Sequence, residues 1–379
     1  MKGEVYINQD NYSFFASAAF GLEGLVAKEL NKLGINAKAE TGGARFEGTL
    51  LDAYKANIQL RTADRVLMIL DEGEARTFEA LFQLVGKIQW EKYLTREAMI
   101  HVSGKCVRSQ LMSVRDCQAI TKKAIVSRLQ SVWRTQRLPE NGARFPIEIA
   151  IVKDVARVTL NLSGDALNRR GYRTWNGEAP LRETLAAAML DICVWHPERP
   201  LYDPCCGTGT LMVEAAIKAM KRPAGIYRTF ACEEFKFMPL EEMKKYKEET
   251  LKAIDHEYKF DIGGSDIDPA ALDLCYKNIS QAGLENYIQP TLMDLRQLQL
   301  DSPKGLFILN PPYGERLSDQ KQARELYKEI GALYRRHPGW QLVALTSDPA
   351  FERYFGQRAT RKRRLYNGRL ECELFIYTR

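Results

Sequence analysis

The segment 306–314, LFILNPPYG, brings together residue types that could hold an amino group for chemistry. A conjugated amine is a poor nucleophile unless acceptors hold its hydrogens and a desolvated pocket aims its lone pair. The side-chain oxygen of Asn310 and the carbonyl of Pro311 could be those acceptors, and Pro312 stiffens the turn. Tyr313 could stack on a planar target group. A bare Asn-Pro-Pro is more often only a turn that closes a strand, but the apolar run before it and the Tyr after it favour a catalytic turn.

A second segment, 203–210 with the sequence DPCCGTGT, has the composition of a ligand-binding turn. It follows a short apolar opening and precedes a predicted helix, Leu211–Met220. A strand, a Gly-containing turn and a helix in that order bring the backbone close to a ligand at the helix N-terminus. Phosphate-binding alternatives fail, because the segment contains neither G-x-G-x-x-G nor the G-K-[ST] of a P-loop. Cys205 and Cys206 are interpreted as packing residues, since no general base lies near them in the sequence.

Two further carboxylates follow apolar stretches. Asp266 ends the stretch that begins at Ile262, and it has no structural role visible in the sequence. It could accept hydrogen bonds from both ribose hydroxyls of a nucleoside. Asp268 instead precedes Pro269 and is predicted to be a helix N-cap. Asp294 ends the next apolar stretch, a place where an isolated Asp is usually only a turn residue.

The elements that must position these residues alternate between strands and helices. Strands ending at Asp203, Asp266, Asp294 and Asn310 predict an α/β, Rossmann-like domain with a mostly parallel, doubly wound sheet. The carboxyl ends of parallel strands meet at one edge of a sheet, so these four polar residues should line one crevice.

Two segments flank this predicted domain. Residues 163–183, SGDALNRRGYRTWNGEAPLRE, are rich in Gly, Arg and turn formers and indicate a linker. They lead into an Ala-rich predicted helix, Thr184–Trp195. At the end of the chain, strand patterns at Arg363–Tyr366 and Arg369–Tyr377 around Asn367-Gly368 predict an antiparallel hairpin.

The first 165 residues predict smaller α+β units. Residues 12–70 predict the order strand, helix, strand, helix, strand. Residues 78–161 predict a helix, a strand, a second helix at Cys117–Trp133, and two strands joined by a turn at Asp154. Basic residues crowd the second of these units, and each suits either a phosphate contact or a solvated helix face. They are Lys105, Arg108, Arg115, Lys122, Lys123, Arg128, Arg134 and Arg137.

Composition limits the class of protein. With 379 residues the chain is long enough for two or three domains. Its formal net charge of +7 permits a polyanionic partner without requiring one. There is no run of about 18 apolar residues and no basic start followed by an apolar stretch, so we expect a soluble, cytoplasmic protein. The 8 Cys and 4 His are dispersed and form no C-x-x-C pair, which predicts neither disulfides nor a metal site.

Several of these segments resemble a known family. N-P-P-Y after a buried strand resembles the catalytic motif of the amino-group methyltransferases, which act on adenine, cytosine, guanine or glutamine amides. DPCCGTGT resembles the first motif of the S-adenosylmethionine-dependent fold. RRGYR followed by APLRETLAA resembles the segment that joins THUMP and methyltransferase domains in bacterial ribosomal RNA methyltransferases. The element order before that segment resembles a ferredoxin-like domain followed by a THUMP domain, which is an RNA-binding module.

Over nearly its whole length, the chain is therefore similar to the THUMP-domain class I RNA methyltransferases, in particular to the N-terminal half of the bacterial 23S ribosomal RNA guanine-N2 enzymes. The resemblance implies a ferredoxin-like domain at 1–70, a THUMP domain at 71–165, and a linker with a methyltransferase domain at 166–379. An antiparallel pair of last strands is a feature of this methyltransferase fold.

The resemblance also implies a cofactor, S-adenosyl-L-methionine. Asp203 would meet the amino group of its methionine end, Asp266 its ribose, and Asp294 with Met293 its adenine. The implied cofactor-binding residues are Pro180, Arg182, Glu183, Asp203, Pro204, Gly207, Thr208, Gly209, Thr210, Asp266, Ile267, Met293, Asp294 and Asn310. The implied catalytic residues are Asn310, Pro311, Pro312 and Tyr313.

The implied substrate is RNA, either 23S ribosomal RNA or a ribosome assembly intermediate, with guanine N2 as the target atom. Three features favour this choice by resemblance: the implied ferredoxin-like and THUMP domains, the RRGYR to APLRE segment, and the G-E-R after Tyr313. N-P-P-Y alone suits any conjugated amine, so other functions stay open: N6-adenine methylation of DNA or RNA, glutamine-N5 methylation of a protein, and a catalytically silent RNA-binding protein. The sequence has no obvious DNA target-recognition domain, and the intact acidic positions and N-P-P-Y argue against a silent protein.

Overall fold

The computed structural model describes residues 11–173, 181–313 and 317–378. These residues form two compact units. The first unit contains the described chain up to Ala18, then Val26–Leu167 and Thr229–Glu249. The second contains Ala19–Leu25, the described part of Asn168–Arg228, and the chain from Thr250 onward. None of the helices in the described ranges is long and apolar enough to cross a membrane.

The first unit contains strands and helices, and a local sequence signal marks the start of α2. Its strands are β1 (Tyr12–Ser17), β2 (Ala37–Glu40), β3 (Gly43–Gly48), β4 (Arg65–Glu74), β5 (Met99–Val107), β6 (Arg144–Val152) and β7 (Val155–Asn161). The helices are α1 (Glu23–Lys32), α2 (Leu50–Gln59), α3 (Phe78–Lys87) and α4 (Val114–Trp133). A capping box starts α2, because the Thr49 hydroxyl accepts from the Asp52 N–H at 3.2 Å and Asp52 accepts from the Thr49 N–H at 3.0 Å.

One sheet runs through the whole first unit, in the order β2-β3-β1-β4-β7-β6-β5. The pair β5–β6 is parallel and the other recorded pairs are antiparallel. The two predicted small domains share this sheet, since β4 pairs with β1 through Arg65–Met68 and with β7 through Leu67–Glu74. The predicted limit at residue 70 lies inside β4, and the domain limits at 70 and 165 stay a prediction.

The sequence does not predict β2, and the predicted order with one strand between the first two helices is wrong. Ala, Lys and Glu, which make up this strand, are depleted in strands. Pairing with β3, which sets Ala37 opposite Phe46, creates the strand. Tertiary contact therefore overrides a weak local preference.

A segment from the middle of the chain, Thr229–Glu249, belongs to the first unit although it lies within the predicted methyltransferase range 166–379. The Phe235 ring stacks on Phe145 with centroids 4.4 Å apart, and both side chains are buried. The Tyr54 hydroxyl donates to Glu233 Oε1 at 3.0 Å. The segment therefore contributes to the core of the first unit.

The second unit carries the predicted α/β pattern. Its strands are β8 (Leu201–Asp203), β9 (Ile262–Asp266), β10 (Thr291–Leu292), β11 (Gly305–Leu309), β12 (Trp340–Thr346), β13 (Arg361–Asn367) and β14 (Leu370–Tyr377). The helices after α4 are α5 (Glu183–Ile192), α6 (Thr210–Ala219), α7 (Leu240–Lys252), α8 (Pro269–Gln281), α9 (Leu317–Arg336) and α10 (Phe351–Phe355), and most of α7 belongs to the first unit.

The sheet of the second unit has the order β10-β9-β8-β11-β12-β14-β13. Neighbours from β10 to β12 are parallel, whereas β14 is antiparallel to both β12 and β13. All five residues of β11 are buried, which explains why its sequence is apolar without alternation. The predicted fold class, a Rossmann-like α/β domain with an antiparallel last pair, is confirmed.

Two predicted bounds in this unit are shifted. The hairpin forms, but Asn367 is paired with Leu370, so its turn is Gly368-Arg369 and not Asn367-Gly368. Gly368 has a φ of +67°, a conformation that favours glycine at this position. The helix predicted to reach Trp195 ends at Ile192, because Val194 has left-handed backbone with a φ of +53°.

Candidate active site

Four predicted site residues follow four neighbouring parallel strands. Across the sheet, Asp294, Asp266, Asp203 and Asn310 come after β10, β9, β8 and β11 in that order. The chain leaves β8 toward β9 on one side and later returns to β11 on the other, which makes the end of β8 a topological switch point. Ligands of open α/β sheets bind at such a point, outside the carboxyl ends of the strands.

Asp203 is a buried carboxylate at this switch point. Its side chain accepts from the Cys205 N–H at 3.1 Å. Burial raises the pKa of Asp203 well above its usual range, and the negative charge of Asp266 raises it further. Across the described ranges, no Lys or Arg forms an ion pair with Asp203. A cationic group bound next to Asp203 would supply the missing charge.

The turn after Asp203 leaves its backbone open to a ligand. Gly207 has a φ of +51°, and a Cβ built on it meets no heavy atom within 4 Å. Gly209, with a φ of +81°, precedes α6, and a Cβ there would lie 2.6 Å from Cys275 Sγ. Asn278, on α8, stabilises the turn by donating to the Thr208 carbonyl at 3.0 Å. The arrangement matches a ligand site at a helix N-terminus.

Asp266 has a structural role that the sequence does not predict. Its Oδ2 accepts from the Gly207 N–H at 2.8 Å and its Oδ1 from the Asp268 N–H at 3.0 Å. Each carboxylate oxygen keeps a further lone pair, so the ribose role remains available. Ile267, the next residue, is an exposed apolar side chain, with 67% of its surface accessible. Asp268 is the predicted N-cap, because its side chain accepts from the Ala270 N–H at 2.9 Å.

Asp294 caps a short 3-10 helix at Leu295–Gln297. It accepts from the Arg296 N–H at 2.9 Å and forms an ion pair with the Arg296 side chain. The hydrogen bonds from Arg296 lower the pKa of Asp294, so Asp294 is an ionised acceptor. Met293 packs partly buried against the core of the second unit.

The N-P-P-Y turn is fixed by a hydrogen bond from Tyr327 and by one between two of its own side chains. Tyr327, which is fully buried, donates to the Pro312 carbonyl at 3.2 Å. Pro311 is buried, and Pro312 is exposed. The Tyr313 hydroxyl donates to Asn310 Oδ1, the oxygen that was predicted to be open for a target amine. Burial raises the pKa of Tyr313, so the hydroxyl stays a neutral donor. Asn310 Oδ1 keeps a second lone pair for a target amine, and displacement of the hydroxyl by that amine would also release the Tyr313 ring for stacking.

Part of the predicted linker, the described residues Asn168–Arg173, belongs to the second unit and is not only a linker. Arg173, which the sequence did not single out, donates to the Leu181 carbonyl at 2.9 Å, bonds to the Thr210 hydroxyl, and pairs with Glu183 at 3.5 Å. Its buried side chain thus connects the start of α5 with the Gly-containing turn. The unusual density of Arg in RRGYR was the sequence signal that could have found it.

The other predicted residues of this segment differ in exposure. Glu183 is buried and accepts from Asn168 at 3.2 Å, so its side chain already has protein partners. Arg182 is exposed, and its backbone N–H donates to Asn367 Oδ1 at 3.4 Å. Pro180 lies outside the described residues. The assignment of these residues to a cofactor stays a prediction, as do the other ligand roles.

Comparison with protein-family models identifies the domains. Residues 13–67 match an RlmL ferredoxin-like domain and residues 75–161 match a THUMP domain. Residues 170–376, more than half of the chain, match an RMKL-like methyltransferase domain. The chain belongs to the RMKL-like methyltransferase family. The predicted family, with its ferredoxin-like, THUMP and methyltransferase parts, is confirmed.

The curated relatives differ in how much of their own length matches this chain. "Putative RNA methyltransferase YpsC" of Bacillus subtilis is 38% identical over 97% of this chain and 96% of its own length. The ribosomal RNA large subunit methyltransferase K/L of Syntrophotalea carbinolica is 35% identical over 96% of this chain but only 53% of its own length. The chain thus spans about half the length of this K/L protein.

Solved structures agree with the fold. The crystal structure of a predicted N6-adenine-specific DNA methylase from Listeria monocytogenes has a TM-score of 0.93 and 39% identity, covering 100% of this chain and 99% of that one. The structure of SMU.472 complexed with SAH has a TM-score of 0.91 and 38% identity, covering 98% of each chain.

Proposed function

We propose that this chain methylates the N2 amine of guanine in 23S ribosomal RNA, with S-adenosylmethionine as the methyl donor. The observation that carries the proposal is the buried Asp203 carboxylate without a cation, one strand away from Asn310. A site for a positively charged ligand and a site for an amine therefore lie on neighbouring strands. The SAH complex of SMU.472, which is 38% identical, supports the choice of ligand.

The residues of the crevice fit this cofactor by their chemistry. Asp203 would pair with the ammonium group of the methionine end, and Asp266 would accept from the ribose hydroxyls. Asp294 would accept from the adenine amine, with Ile267 and Met293 as apolar neighbours of the ring. When bound, S-adenosylmethionine supplies a methyl group on a cationic sulfur. The open space beside Gly207, where an added Cβ would meet no heavy atom within 4 Å, leaves room for close approach.

The N-P-P-Y turn would hold the target amine. Asn310 Oδ1 and the Pro311 carbonyl would accept its two hydrogens, which would orient the nitrogen lone pair and favour attack. Tyr313 would give up its bond to Asn310 and stack on the extruded base. The exchange replaces one hydrogen bond to Asn310 by another, so that bond alone carries little net cost.

RNA as the substrate is supported by the THUMP match and by free positive charge on α4. Lys122 pairs with Glu140 at 2.8 Å and Arg128 with Glu91 at 2.6 Å. On the same helix, Arg115 and Lys123 form no ion pair within the described part of the chain. Such unpaired charges suit phosphate contacts. The name of the K/L relative points to ribosomal RNA of the large subunit.

Adenine N6 is the second candidate, favoured by the name of the Listeria structure. The two bases differ at N1, because guanine offers a donor there and adenine an acceptor. The pocket must therefore supply opposite partners at that atom. The G-E-R at 314–316, which favours the guanine enzymes by resemblance, lies outside the described residues.

Product analysis tests the proposal. Ribosomal RNA from cells that lack this gene is incubated with the purified chain and S-adenosylmethionine, digested to nucleosides, and analysed by mass spectrometry. We expect N2-methylguanosine with the wild-type protein and none with Asn310→Ala. N6-methyladenosine in its place would establish the second candidate. No methylated nucleoside either in this RNA or in ribosome assembly intermediates from the same cells would refute an RNA substrate.

A further inference from the structure

The second unit contains a cavity that the proposed reaction does not use. Its volume is about 330 Å³, within the range of small-molecule sites. Arg170, Arg222 and His256 line it together with Tyr172 and Tyr227, and none of the described residues that line it is Asp or Glu. The lining therefore combines the guanidinium group of Arg222 with aromatic rings.

The cavity lies at the other edge of the sheet from the crevice. Helices α6 and α8 begin after β8 and β9, at the carboxyl ends of those strands. Each helix then runs back along the sheet toward the amino ends of the parallel strands. Part of the lining lies at and beyond the ends of these helices: Ile217, Arg222, Pro223 and Ala224 for α6, and Gln281, Ala282 and Gly283 for α8. A ligand there would be separate from one bound at Asp203.

Arg222 is a buried cation with unused donors. It is 6% exposed, and its guanidinium donates to the Ala282 carbonyl at 2.8 Å. In the described chain it forms no ion pair, in contrast to Arg170, which pairs with Glu214 at 3.2 Å. Burial lowers the pKa of Arg222, as expected for a cation that lacks a carboxylate. A guanidinium has five N–H donors, so Arg222 can bind an anion in addition to Ala282.

Tyr227 presents an aromatic face beside this cation. The Arg222 guanidinium lies 5.5 Å from the centre of the Tyr227 ring, and Tyr227 is 62% exposed. An exposed Tyr next to a buried Arg suits a planar group attached to an anion. The backbone is also open here, because a Cβ built on Gly171 or on Gly283 meets no heavy atom within 4 Å.

We propose that this cavity binds a nucleoside phosphate, with the phosphate on Arg222 and the base against Tyr227. The phosphate would take the donors that Ala282 leaves free, and the base would use the exposed ring. This chemistry is shared by a nucleotide within an RNA chain and by a free nucleotide. The RNA source rests on the proposed function, whereas the free nucleotide does not.

Binding measurements on the full chain distinguish the sources. The probes are a short fluorescein-labelled RNA, followed by anisotropy, and guanosine monophosphate, followed by calorimetry. The variants are Arg222→Gln and Tyr227→Ala, and the matched control is Lys221→Gln, which removes the same charge from an exposed neighbour outside the lining. SAH affinity and melting temperature are measured for each variant, and Tyr227→Ala tests the cavity if Arg222→Gln does not fold.

If an RNA nucleotide occupies the cavity, Arg222→Gln and Tyr227→Ala should each weaken RNA binding about tenfold. Arg222→Gln should also reduce the slope of log affinity against log salt by about one, while Lys221→Gln should change affinity by a factor of about two at most. SAH affinity should not change in any variant, because the crevice lies at the other edge of the sheet.

If a free nucleotide is the ligand, guanosine monophosphate should bind the wild-type chain and lose affinity in both variants, with RNA binding unchanged. RNA and mononucleotide binding that are both independent of Arg222 and Tyr227 would overturn the proposal. A wild-type chain that binds no RNA would contradict the proposed function instead, and the mononucleotide measurement would then decide the cavity by itself.

Discussion

Asp203→Asn tests the crevice most directly, because it removes a charge and keeps the shape. The Asn oxygen can still accept from the Cys205 N–H, which lies 3.1 Å from the Asp203 carboxylate. Burial, with a further contribution from Asp266, raises the pKa of Asp203 well above its usual range. The structure therefore predicts opposite effects on the affinity for the cofactor and on the stability of the free protein.

The loss of affinity follows from the lost charge. A hydrogen bond to a charged group contributes about 1.5–3 kcal/mol, and about 1.4 kcal/mol corresponds to a tenfold change in affinity. SAH carries the same methionine ammonium group as S-adenosylmethionine. The variant should therefore bind SAH roughly 10- to 150-fold more weakly than the wild-type chain.

The stability effect has the opposite sign. The folded-state pKa of Asp203 is raised above its unfolded value, so protonation stabilises the folded protein at low pH, and this stabilisation is lost as pH rises through the raised pKa. Asn cannot ionise, so the variant does not lose folding stability as pH rises through the raised pKa of Asp203. At neutral pH the free variant should melt at a higher temperature than the wild-type chain. The difference should shrink as pH falls toward about 3.9, the usual pKa of Asp.

Calorimetric titration with SAH and thermal unfolding without ligand, both across a range of pH, provide the measurements. Asp268→Asn is the matched control, since it is the same change at the exposed N-cap of α8 and should leave SAH affinity unaltered. Unchanged SAH affinity in Asp203→Asn, or a free variant that melts at a lower temperature, would refute the role assigned to Asp203.

The remaining predictions concern the target amine and the segment before α5. Asn310→Ala should lose methyl transfer by about 100-fold or more in single-turnover assays while SAH affinity stays nearly intact, because the proposed function assigns the Asn310 side chain to the target amine and not to the cofactor; near wild-type turnover would reduce Asn310 to a turn residue. Tyr313→Phe should be mild and Tyr313→Ala severe in the same assay, because stacking needs the ring and not the hydroxyl; equal losses would contradict stacking. Arg170→Met should destabilise the protein to urea by about 3–5 kcal/mol, since it removes the cation that lies 3.2 Å from Glu214, which is 0% exposed. Lys218→Met is the control. It breaks the partly exposed ion pair between Lys218 and Asp191, on the helix that also carries Glu214, and should lower the free energy of unfolding by about 1 kcal/mol at most.

Much of the fold could be predicted, because the second unit follows local rules. Strand β11 is a fully buried apolar run, and α8 begins with Asp268 and Pro269 and ends near Gly283, which are local start and stop signals. Strand β2 could not be predicted, since its residues have little strand preference and its pairing with β3 creates it. The hairpin turn is one residue away from the predicted place because cross-strand register, with Asn367 opposite Leu370, fixes it.

Membership of the compact units depended on contacts between residues far apart in the chain. The segment Thr229–Glu249 lies between elements of the second unit, yet Phe235 stacks in the core of the first. The RRGYR stretch has the composition of a linker, but its Arg170 is buried against Glu214, 44 residues later. Spacing in the sequence carries no signal for such pairs, because their partners are chosen by packing.

The sequence by itself determined which chemical groups end the strands of the crevice. A carboxylate after β8 and an amide after β11 follow from residue order, and the parallel sheet places both at one edge. Tertiary structure alone decided the state of these groups. Burial leaves Asp203 without a cation, backbone N–H groups engage Asp266, and the Tyr313 hydroxyl closes on Asn310. Charge and hydrogen bonding depend on what surrounds an atom in space, and residue order does not specify those surroundings.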